Sequence, residues 1–383
     1  MSRTPAGAGR SGALGVVIDA PPRGAVRDGA GGLPAPAASP GSRAELTGPG
    51  AGLSVRPPSD ARAMITCMSR WLGVLAVMLL FAVAASGVAS GGEERVVIAA
   101  GGEPAIITFV DVDQGDGVVM KIGGKVIVSD AGEHRVENVN AALERVGATR
   151  IDVAILSHPH DDHVKNFVAL LARWEVREAV LSRSDHWQGT KTNRAVIAAI
   201  KAEGLQPTFA TAGQTRKWGQ AQWRILNPSQ GEFTGAASDA PNASVAYLLS
   251  VNGRSLLFTG DVEHAIADQI AQRLRAARRK RVDVLLATHH GSKHSVSAEL
   301  LSVARPRWAV LSVGPNSFGH PHPETVDELK EVGASIWCTD ANGTITATIS
   351  TSGRLRWTAE GENAQPWWSA NTKRHHGDCV GRG

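Results

Sequence analysis

The stretch that decides the fold is Ser157-His158-Pro159-His160-Asp161-Asp162-His163. It follows an apolar run, Ile151–Leu156, which is typical of a buried strand. His158 and His160 are two residues apart, so in an extended chain their side chains point to the same side and can converge on one metal ion. Asp162 and His163 lie where the chain turns into the next helical segment. Imidazole and carboxylate ligands suit Zn²⁺, Mn²⁺ or Fe, so the stretch predicts a metal site at a strand end.

The alternative interpretation of this stretch is a polar turn, or a helix N-cap made by Asp161 or Asp162. A cap needs one acidic side chain, and it does not explain three histidines within six residues. The metal site is therefore the favoured interpretation.

Around this stretch the chain alternates strands with helical segments. Ile106–Val112, Val118–Ile122 and Lys125–Ser129 predict three strands joined by glycine turns, and strand–helix alternation follows. The second half repeats this order, with a hairpin signal at Asn252-Gly253. The repeat predicts one α/β domain in which two mixed sheets pack face to face with helices outside. Alternation alone also fits a doubly wound sheet, so the motifs decide between the two.

The sequence His-x-His-x-Asp-His at 158–163 resembles the signature of the metallo-β-lactamase-fold hydrolases. Six further stretches are similar in sequence and order to the C-terminal hydrolase domain of ComEC-type competence proteins. They are Phe109–Asp116, Val128–Gly132, Asn242–Ser244, Thr259–Glu263, His289–Ser292 and Gly319–Pro323. The resemblance covers residues 105–350 and implies an αββα sandwich of two mixed β-sheets flanked by helices.

The resemblance also implies a dinuclear centre with two divalent metal ions, Zn²⁺ or Mn²⁺, as cofactors. His158 and His160 would bind the first ion, Asp162 and His163 would bind the second, and Asp261 would bridge both.

Two more histidines would complete this centre, and each has a competitor nearby. For the first site His289 is preferred, with His290 either orienting a ligand or contacting substrate, although the sequence does not separate the two. For the second site His320 is preferred over His322.

Other residues of the matching motifs are expected to orient ligands or to contact substrate. Asp130 would hold a histidine ligand by a hydrogen bond. The remaining residues of this group are Asp111, Gln114, Asn242 and Ser292. One departure from the family pattern is Asp113, which replaces the usual glycine of the opening motif and adds an acidic group near the site.

This constellation predicts hydrolysis, with Asp162, Asp261 and His290 as catalytic residues. Two adjacent cations lower the pKa of a bridging water, so the nucleophile would be a hydroxide held by the metals and Asp261. The ComEC resemblance favours a phosphodiesterase or nuclease, with DNA among its substrates. One alternative is a hydrolase of a carbonyl substrate (lactone, thioester or β-lactam), although nothing in the sequence indicates such a pocket. The other is a non-catalytic binding module, against which the full ligand set argues.

The composition divides the chain into segments. Residues 1–67 hold 12 of the 42 glycines and 9 of the 19 prolines and contain no Phe, Trp or Tyr, so we expect a disordered or mis-annotated leader. Residues 68–90 have a positive start, a short apolar run and then small residues, which predicts a signal peptide or an N-terminal anchor. We therefore expect an exported, periplasmic or extracellular protein without stable membrane insertion after cleavage. A hydrolase domain at 91–360 and a flexible tail at 361–383 complete the expected organisation.

The net charge of +4 comes from the two N-terminal segments. They carry eight of the 40 basic and four of the 36 acidic residues, which leaves 32 of each in residues 91–383. No global basic field therefore indicates a nucleic-acid binder. A basic cluster could follow a phosphate backbone, but its position at a helix end favours complementation of the helix dipole; it consists of Arg273, Arg275, Arg278, Arg279, Lys280 and Arg281.

Two cysteines, Cys338 and Cys379, would remain after export. A disulfide between them is allowed in an oxidising compartment. Because Cys379 lies in a polar tail that is expected to be loose, the sequence favours two unpaired cysteines.

Overall fold

The structure is a computed structural model, and it describes residues 102–229, 239–278, 281–361, 365–371, 374–375 and 379. The expected leader at 1–67 and the expected signal segment at 68–90 lie outside these residues. Within them, no helix is both long and apolar enough to cross a lipid bilayer.

The strands of the described residues form two sheets. In chain order they are β1 (Ala105–Phe109), β2 (Gly117–Ile122), β3 (Lys125–Ala131), β4 (Val153–Leu156), β5 (Ala179–Leu181), β6 (Thr208–Phe209), β7 (Thr215–Trp218), β8 (Ala221–Asn227), β9 (Ala246–Val251), β10 (Arg254–Phe258), β11 (Val284–Leu286), β12 (Trp308–Leu311), β13 (Ser335–Cys338), β14 (Ile345–Ile349), β15 (Leu355–Ala359), β16 (Trp368–Ser369) and β17 (Arg374–His375). The first sheet has the order β15-β14-β1-β2-β3-β4-β5-β6, and the second has the order β17-β16-β13-β12-β11-β10-β9-β8-β7.

Helices cover the outer faces of both sheets. They are α1 (Val136–Arg145), α2 (Asp161–Val164), α3 (Phe167–Arg173), α4 (Lys191–Ala202), α5 (Asp239–Asn242), α6 (His264–Ala276), α7 (Ala298–Ala304), α8 (Pro323–Glu331) and α9 (Thr339–Asn342), with 3-10 turns at Asp185–Gln188 and Thr288–Gly291. Three buried apolar layers hold the arrangement together. One lies between the sheets, and the others lie between each sheet and its helices.

This four-layer arrangement is the predicted αββα sandwich. The layer between the sheets contains the largest fully buried side chains, including Trp223, Trp337 and Tyr247. Each sheet is an antiparallel meander joined to a parallel set: β3 to β6 are parallel in the first sheet, and β10 to β13 in the second. The strand order predicted for each half of the sequence is present in each sheet, but β14 and β15, from the C-terminal half, join the first sheet beside β1.

The apolar spacing of Val164–Trp174 predicts a helix, and α3 lies within this range, while the short helix α2 comes before it. They are separated at Asn166, whose side-chain amide donates to the Ala131 and His134 carbonyls at 2.8 and 2.7 Å. This residue therefore holds the metal-motif turn against the end of β3, an interaction that helical spacing does not reveal.

In the tail that the sequence predicts to be flexible, the described residues contact the rest of the fold. β16 pairs with β13 and extends the second sheet, and Trp367 is buried against the helix-covered layer. Cys338 and Cys379 form a disulfide, contrary to the two unpaired cysteines favoured above. Burial of a large aromatic side chain, about 1.5–3 kcal/mol, and the covalent link together offset the entropy of ordering this polar segment.

Candidate metal centre

The residues of the metal motifs lie at the carboxyl ends of parallel strands from both sheets. Asp130 is near the end of β3, and the stretch 157–163 follows β4. Asp261 follows β10, and His289 and His290 follow β11. Because the two sheets pack face to face, these strand ends meet at one edge of the sandwich.

One ligand group consists of Asp162, His163, Asp261 and His290, whose nearest nitrogen and oxygen atoms all lie within 4.8 Å of one another. His163 Nε2 is 3.2 Å from Asp261 Oδ1. His290 Nε2 is 3.4 Å from Asp162 Oδ2 and 3.5 Å from Asp261 Oδ2. The group thus offers two carboxylates and two imidazoles to a single point.

Hydrogen bonds on the far side of each ring orient these two imidazoles. His163 Nδ1 donates to Asp130 Oδ2 at 3.0 Å, and His290 Nδ1 donates to the Ser312 carbonyl at 3.0 Å. In the neutral rings both Nε2 atoms then carry lone pairs, and they face each other at 3.2 Å. Two converging lone pairs beside two carboxylates are the donor set that a divalent cation requires, so these residues fit a metal ion.

The second ligand group consists of His158, His160 and again Asp261. His158 Nε2 lies 3.7 Å from Asp261 Oδ2. Among the described residues, His158 Nε2 and Asp261 Oδ1 are buried without a hydrogen-bond partner, which leaves both free to bind a cation. Burial and the neighbouring His163 lower the pKa of His158 well below its ordinary value, so its ring is neutral.

The charges around Asp162, His163, Asp261 and His290 favour a positive charge at the point where these side chains converge. Burial alone would lower the pKa of His163, but the Asp261 and Asp162 carboxylates raise it well above its ordinary value. The pKa of His290 is raised in the same way, against burial, by Asp261 and Asp116. Burial would raise the pKa of Asp261, but His163 and His290 hold it well below its ordinary range. Either protonated imidazoles or a bound cation can supply this positive charge.

An open cavity of about 530 Å³ lies over both ligand groups. Its floor contains His160, Asp162, Asp261, His289 and His290. Its walls come from the loop between β1 and β2, the loop before α1, the start of α2 and the loop between β12 and α8. They contain Gln114, Glu133, His134, Asp161, Pro315, Asn316, Ser317, Phe318 and His320. A substrate in this cavity would therefore contact the candidate ligands directly.

The opening motif packs tightly against the metal motif at Gly115. Its φ is +126°, and a Cβ atom there would lie 2.0 Å from the Asp162 carbonyl oxygen. The next residue, Asp116, donates its backbone N–H to the same oxygen at 3.2 Å. Only glycine allows this approach, so the two motifs fix each other's position.

The structure places both members of the His289-His290 pair beside Asp261, so the preference for His289 at the first site stays a prediction. The predicted substrate contact, His290, is the histidine that joins Asp162, His163 and Asp261, and its side chain is 1% exposed. His289 is 25% exposed and has Nε2 3.6 Å from Asp261 Oδ2. Both residues have a left-handed φ, 50° and 55°, in the 3-10 turn, which directs the second histidine inward.

His320 is not a member of the group that contains His163, and its predicted role in completing the second site stays a prediction. Its ring lies on the cavity wall, with its centroid 5.4 Å from that of His289. The competing residue His322 is outside the cavity lining and pairs with Glu324 at 2.5 Å. His320 is therefore the one of these two that faces the site.

The other predicted residues divide into two sets. Asp130 contacts His163 as described, and Gln114 lines the cavity. Asp111, Asn242 and Ser292 are not in the cavity lining, and their predicted role of orienting ligands or contacting substrate stays a prediction.

Each of these three residues stabilises a turn near the site. Asp111 pairs with Arg135 at 2.5 Å, Asn242 accepts from the Glu263 N–H at 2.9 Å, and the Ser292 carbonyl accepts from Ser295 and Thr325. Their contribution is therefore to the loops that carry the ligands.

Asp113 does not present a free charge to the site. Its carboxylate pairs with Arg135, which also binds Asp111. Its φ of 63° explains why a glycine is usual at this position, since Asp is one of the few other residues that enter the left-handed region readily.

Two residues near the site were not assigned a role from the sequence. Asp116 is 2% exposed, and its Oδ1 lies 3.5 Å from His290 Nδ1. Asp116 belongs to the opening motif, and its position in that motif could have indicated a role near the site. Asn316 fixes the loop that carries His320, and no local pattern marks it.

Comparisons with known proteins identify the family. A family model described as the metallo-β-lactamase superfamily matches residues 110–314. The chain is 24% identical over 259 residues to ComE operon protein 3 of Bacillus subtilis, covering 62% of this chain and 32% of the relative. It is 29% identical over 248 residues to Recombination protein 2 of Haemophilus influenzae, covering 62% and 28%.

The chain thus spans about a third of the length of these relatives. Among solved structures, the metallo-β-lactamase fold protein YhfI of Bacillus subtilis is similar, with a TM-score of 0.41 and 14% identity. That similarity covers 67% of this chain and 100% of YhfI.

Proposed function

The chain belongs to the metallo-β-lactamase superfamily, and from this premise we propose that it is an exported, metal-dependent phosphodiesterase whose substrates include DNA. One observation is central to the proposal: two groups of His and Asp side chains share Asp261 beneath an open cavity. A shared carboxylate between two imidazole-rich groups is suited to a pair of cations.

We propose two divalent ions, Zn²⁺ or Mn²⁺, as the cofactors. His158, His160 and Asp261 would hold one ion, and Asp162, His163, His290 and Asp261 would hold the other. Bound cations in such a pair activate water for attack and neutralise charge on a phosphoryl group.

The chain's own residues keep the site ready for an anionic substrate. Asp130 and the Ser312 carbonyl hold the His163 and His290 rings with Nε2 directed at the shared point. Burial, together with nearby His290 and His289, lowers the pKa of His320 to about 4, so this ring is neutral at pH 7. A neutral imidazole on the cavity wall can donate a hydrogen bond to a phosphoryl oxygen.

The proposed substrate class rests on the cavity and on the relatives. The cavity is open and lined mostly by polar side chains, which suits an extended polar substrate better than a small apolar one. The Haemophilus relative is named for recombination, which supports a nucleic-acid substrate. Because the chain spans about a third of the relatives' length, the proposed substrate class concerns the hydrolase domain alone.

The proposed export rests on a second observation. The Cys338–Cys379 disulfide is of a kind that persists in oxidising compartments outside the cytoplasm. It agrees with the signal-like composition of residues 68–90.

The test is a substrate panel with the purified full chain, loaded with Zn²⁺ or Mn²⁺. Single-stranded DNA, bis-p-nitrophenyl phosphate, a phosphorylcholine ester and nitrocefin are assayed in parallel. We expect hydrolysis of the phosphodiesters and its loss in Asp162→Asn and Asp261→Asn. Asp152→Asn, at the opposite end of β4, is the matched control and should retain activity.

Two results would reject the proposal. If nitrocefin alone is hydrolysed, the substrate is a carbonyl compound. If metal-loaded protein leaves every substrate intact, the chain is a binding module rather than a hydrolase.

A further inference from the structure

Phe318 is an exposed aromatic residue on the wall of the cavity. Its side chain is 70% exposed, against 40% for Phe209 and 38% for Val168, the other large apolar residues that are exposed in the described part of the chain. Phe318 lines the same cavity as His160, Asp261 and His290. Whatever occupies the cavity can therefore cover this ring.

A single side chain, Asn316, holds the loop that presents Phe318. Its Nδ2 donates to the Gly314 and His320 carbonyls, each at 2.8 Å. Its Oδ1 accepts from the backbone N–H groups of Phe318 and His320, each at 3.0 Å. These four bonds fix the loop backbone before any ligand arrives, which lowers the entropic cost of binding on it.

The Phe318 ring also contacts a histidine of the cavity wall. It stacks on the His320 ring, with centroids 5.7 Å apart and an angle of 29° between the planes. One part of the ring thus contacts the neutral imidazole, and the rest remains open to the cavity.

We propose that Phe318 is a specificity-determining residue that stacks a nucleobase next to the phosphodiester to be cleaved. This inference rests on the proposed phosphodiesterase function. A nucleobase is a flat, uncharged ring, so it can stack on the single exposed face of Phe318. Base–aromatic stacking tolerates any base.

The surroundings argue against a cationic headgroup as the occupant. The acidic side chains of the cavity have partners, since Glu133 pairs with Lys165 at 2.5 Å and Asp161 accepts from Thr192 at 3.1 Å. Among the residues that the structure describes, Phe318 is also the one Phe, Trp or Tyr in the cavity lining, whereas cation recognition typically uses an aromatic cage.

The test compares a hexathymidylate with a hexamer of the same phosphodiester backbone that carries abasic tetrahydrofuran units. The metal-loaded full chain is assayed as wild type, Phe318→Leu and Phe318→Trp, with Phe209→Leu as the control at an exposed phenylalanine outside the cavity. In Phe318→Leu we expect kcat/KM to fall about 5- to 100-fold on the base-bearing hexamer and to stay unchanged on the abasic one. Phe318→Trp and Phe209→Leu should retain the wild-type preference.

Equal losses on both hexamers in Phe318→Leu, or no loss on either, would overturn the proposal. If the wild type cleaves neither hexamer, the phosphodiesterase function fails, and binding of both hexamers by fluorescence anisotropy then tests the stacking separately. A tighter Kd for the base-bearing hexamer that disappears in Phe318→Leu supports stacking. Equal Kd values for the two hexamers in the wild type refute it.

Discussion

Asp261 is the residue that both ligand groups share, and it is 1% exposed. A buried carboxylate is costly unless positive charge surrounds it. Here His158, His163, His289 and His290 all lie within 3.7 Å of its oxygens. Such crowding is useful to a metal centre and has no purpose in a purely structural core.

Replacing Asp130 should weaken metal binding without removing a ligand. Asp130 accepts from His163 Nδ1 and from the Ser157 N–H at 2.8 Å, so Asp130→Asn disturbs the orientation of the ring and of the metal motif. We expect metal affinity to fall about 10- to 100-fold, measured by calorimetric titration of the full chain. Asp152→Asn is the control for general destabilisation, and an equal loss of affinity in that variant would contradict a specific role for Asp130.

At this scale the sequence predicts ligand chemistry better than ligand identity. His158, His160, Asp162 and His163 could be predicted because their spacing follows from a strand and its turn. The orientations of His289 and His290 could not be predicted, because they depend on two consecutive left-handed residues that no local pattern indicates.

Among the elements, β3 and β4 position the metal motif, and Asp152 joins their starts. Its carboxylate accepts from the Val126 N–H at 3.0 Å, from Lys125 at 3.1 Å and from Arg150 at 3.2 Å. Burial would raise the pKa of Asp152, but the bonds from Val126, Lys125 and Arg150 bring it below its ordinary value. The ionised form is therefore the one that stabilises the fold.

Asp152→Asn should consequently reduce stability in a pH-dependent way. Because the pKa of the folded state is lowered, the stabilisation is complete above the unfolded pKa of about 3.9 and is lost as the pH falls through the folded value. We expect a free energy of unfolding lower by about 1–2 kcal/mol at pH 7, and a shrinking difference below pH 4. Urea unfolding followed by tryptophan fluorescence measures this, and a difference that is constant with pH would contradict it.

The elements themselves were largely predictable. The meander and the strand–helix alternation gave both sheets, because alternating and buried apolar runs reflect strand burial directly. The break between α2 and α3 at Asn166 was not predictable, because it depends on hydrogen bonds to carbonyls more than 30 residues away in the chain.

At the scale of the whole molecule, the C-terminal segment closes the second sheet. The disulfide joins residues 41 apart in sequence, and both cysteines are buried. Lys330 on α8 lies 4.9 Å from the Trp368 ring centroid, which adds a cation–π contact to the strand pairing. The described residues of this segment contact residues from far upstream in the chain, and composition does not reveal such contacts.

Cys379→Ser should lower the free energy of unfolding by about 2–4 kcal/mol, as expected for opening a loop of this size. Thermal unfolding of the full chain, with reduced wild type as the comparison, measures the loss. Metal affinity should not change, because the disulfide lies outside both ligand groups. Unaltered stability in both samples would mean that the segment does not hold the sheet.

The central claim is that two cations share Asp261, and metal content per chain tests it most directly. The active full chain is dialysed against metal-free buffer and analysed by inductively coupled plasma mass spectrometry alongside Asp261→Asn. We predict two ions per active wild-type chain and at most one in Asp261→Asn, with phosphodiesterase activity lost in the variant. Full activity with one ion or none per chain, or two ions retained in Asp261→Asn, would contradict the claim.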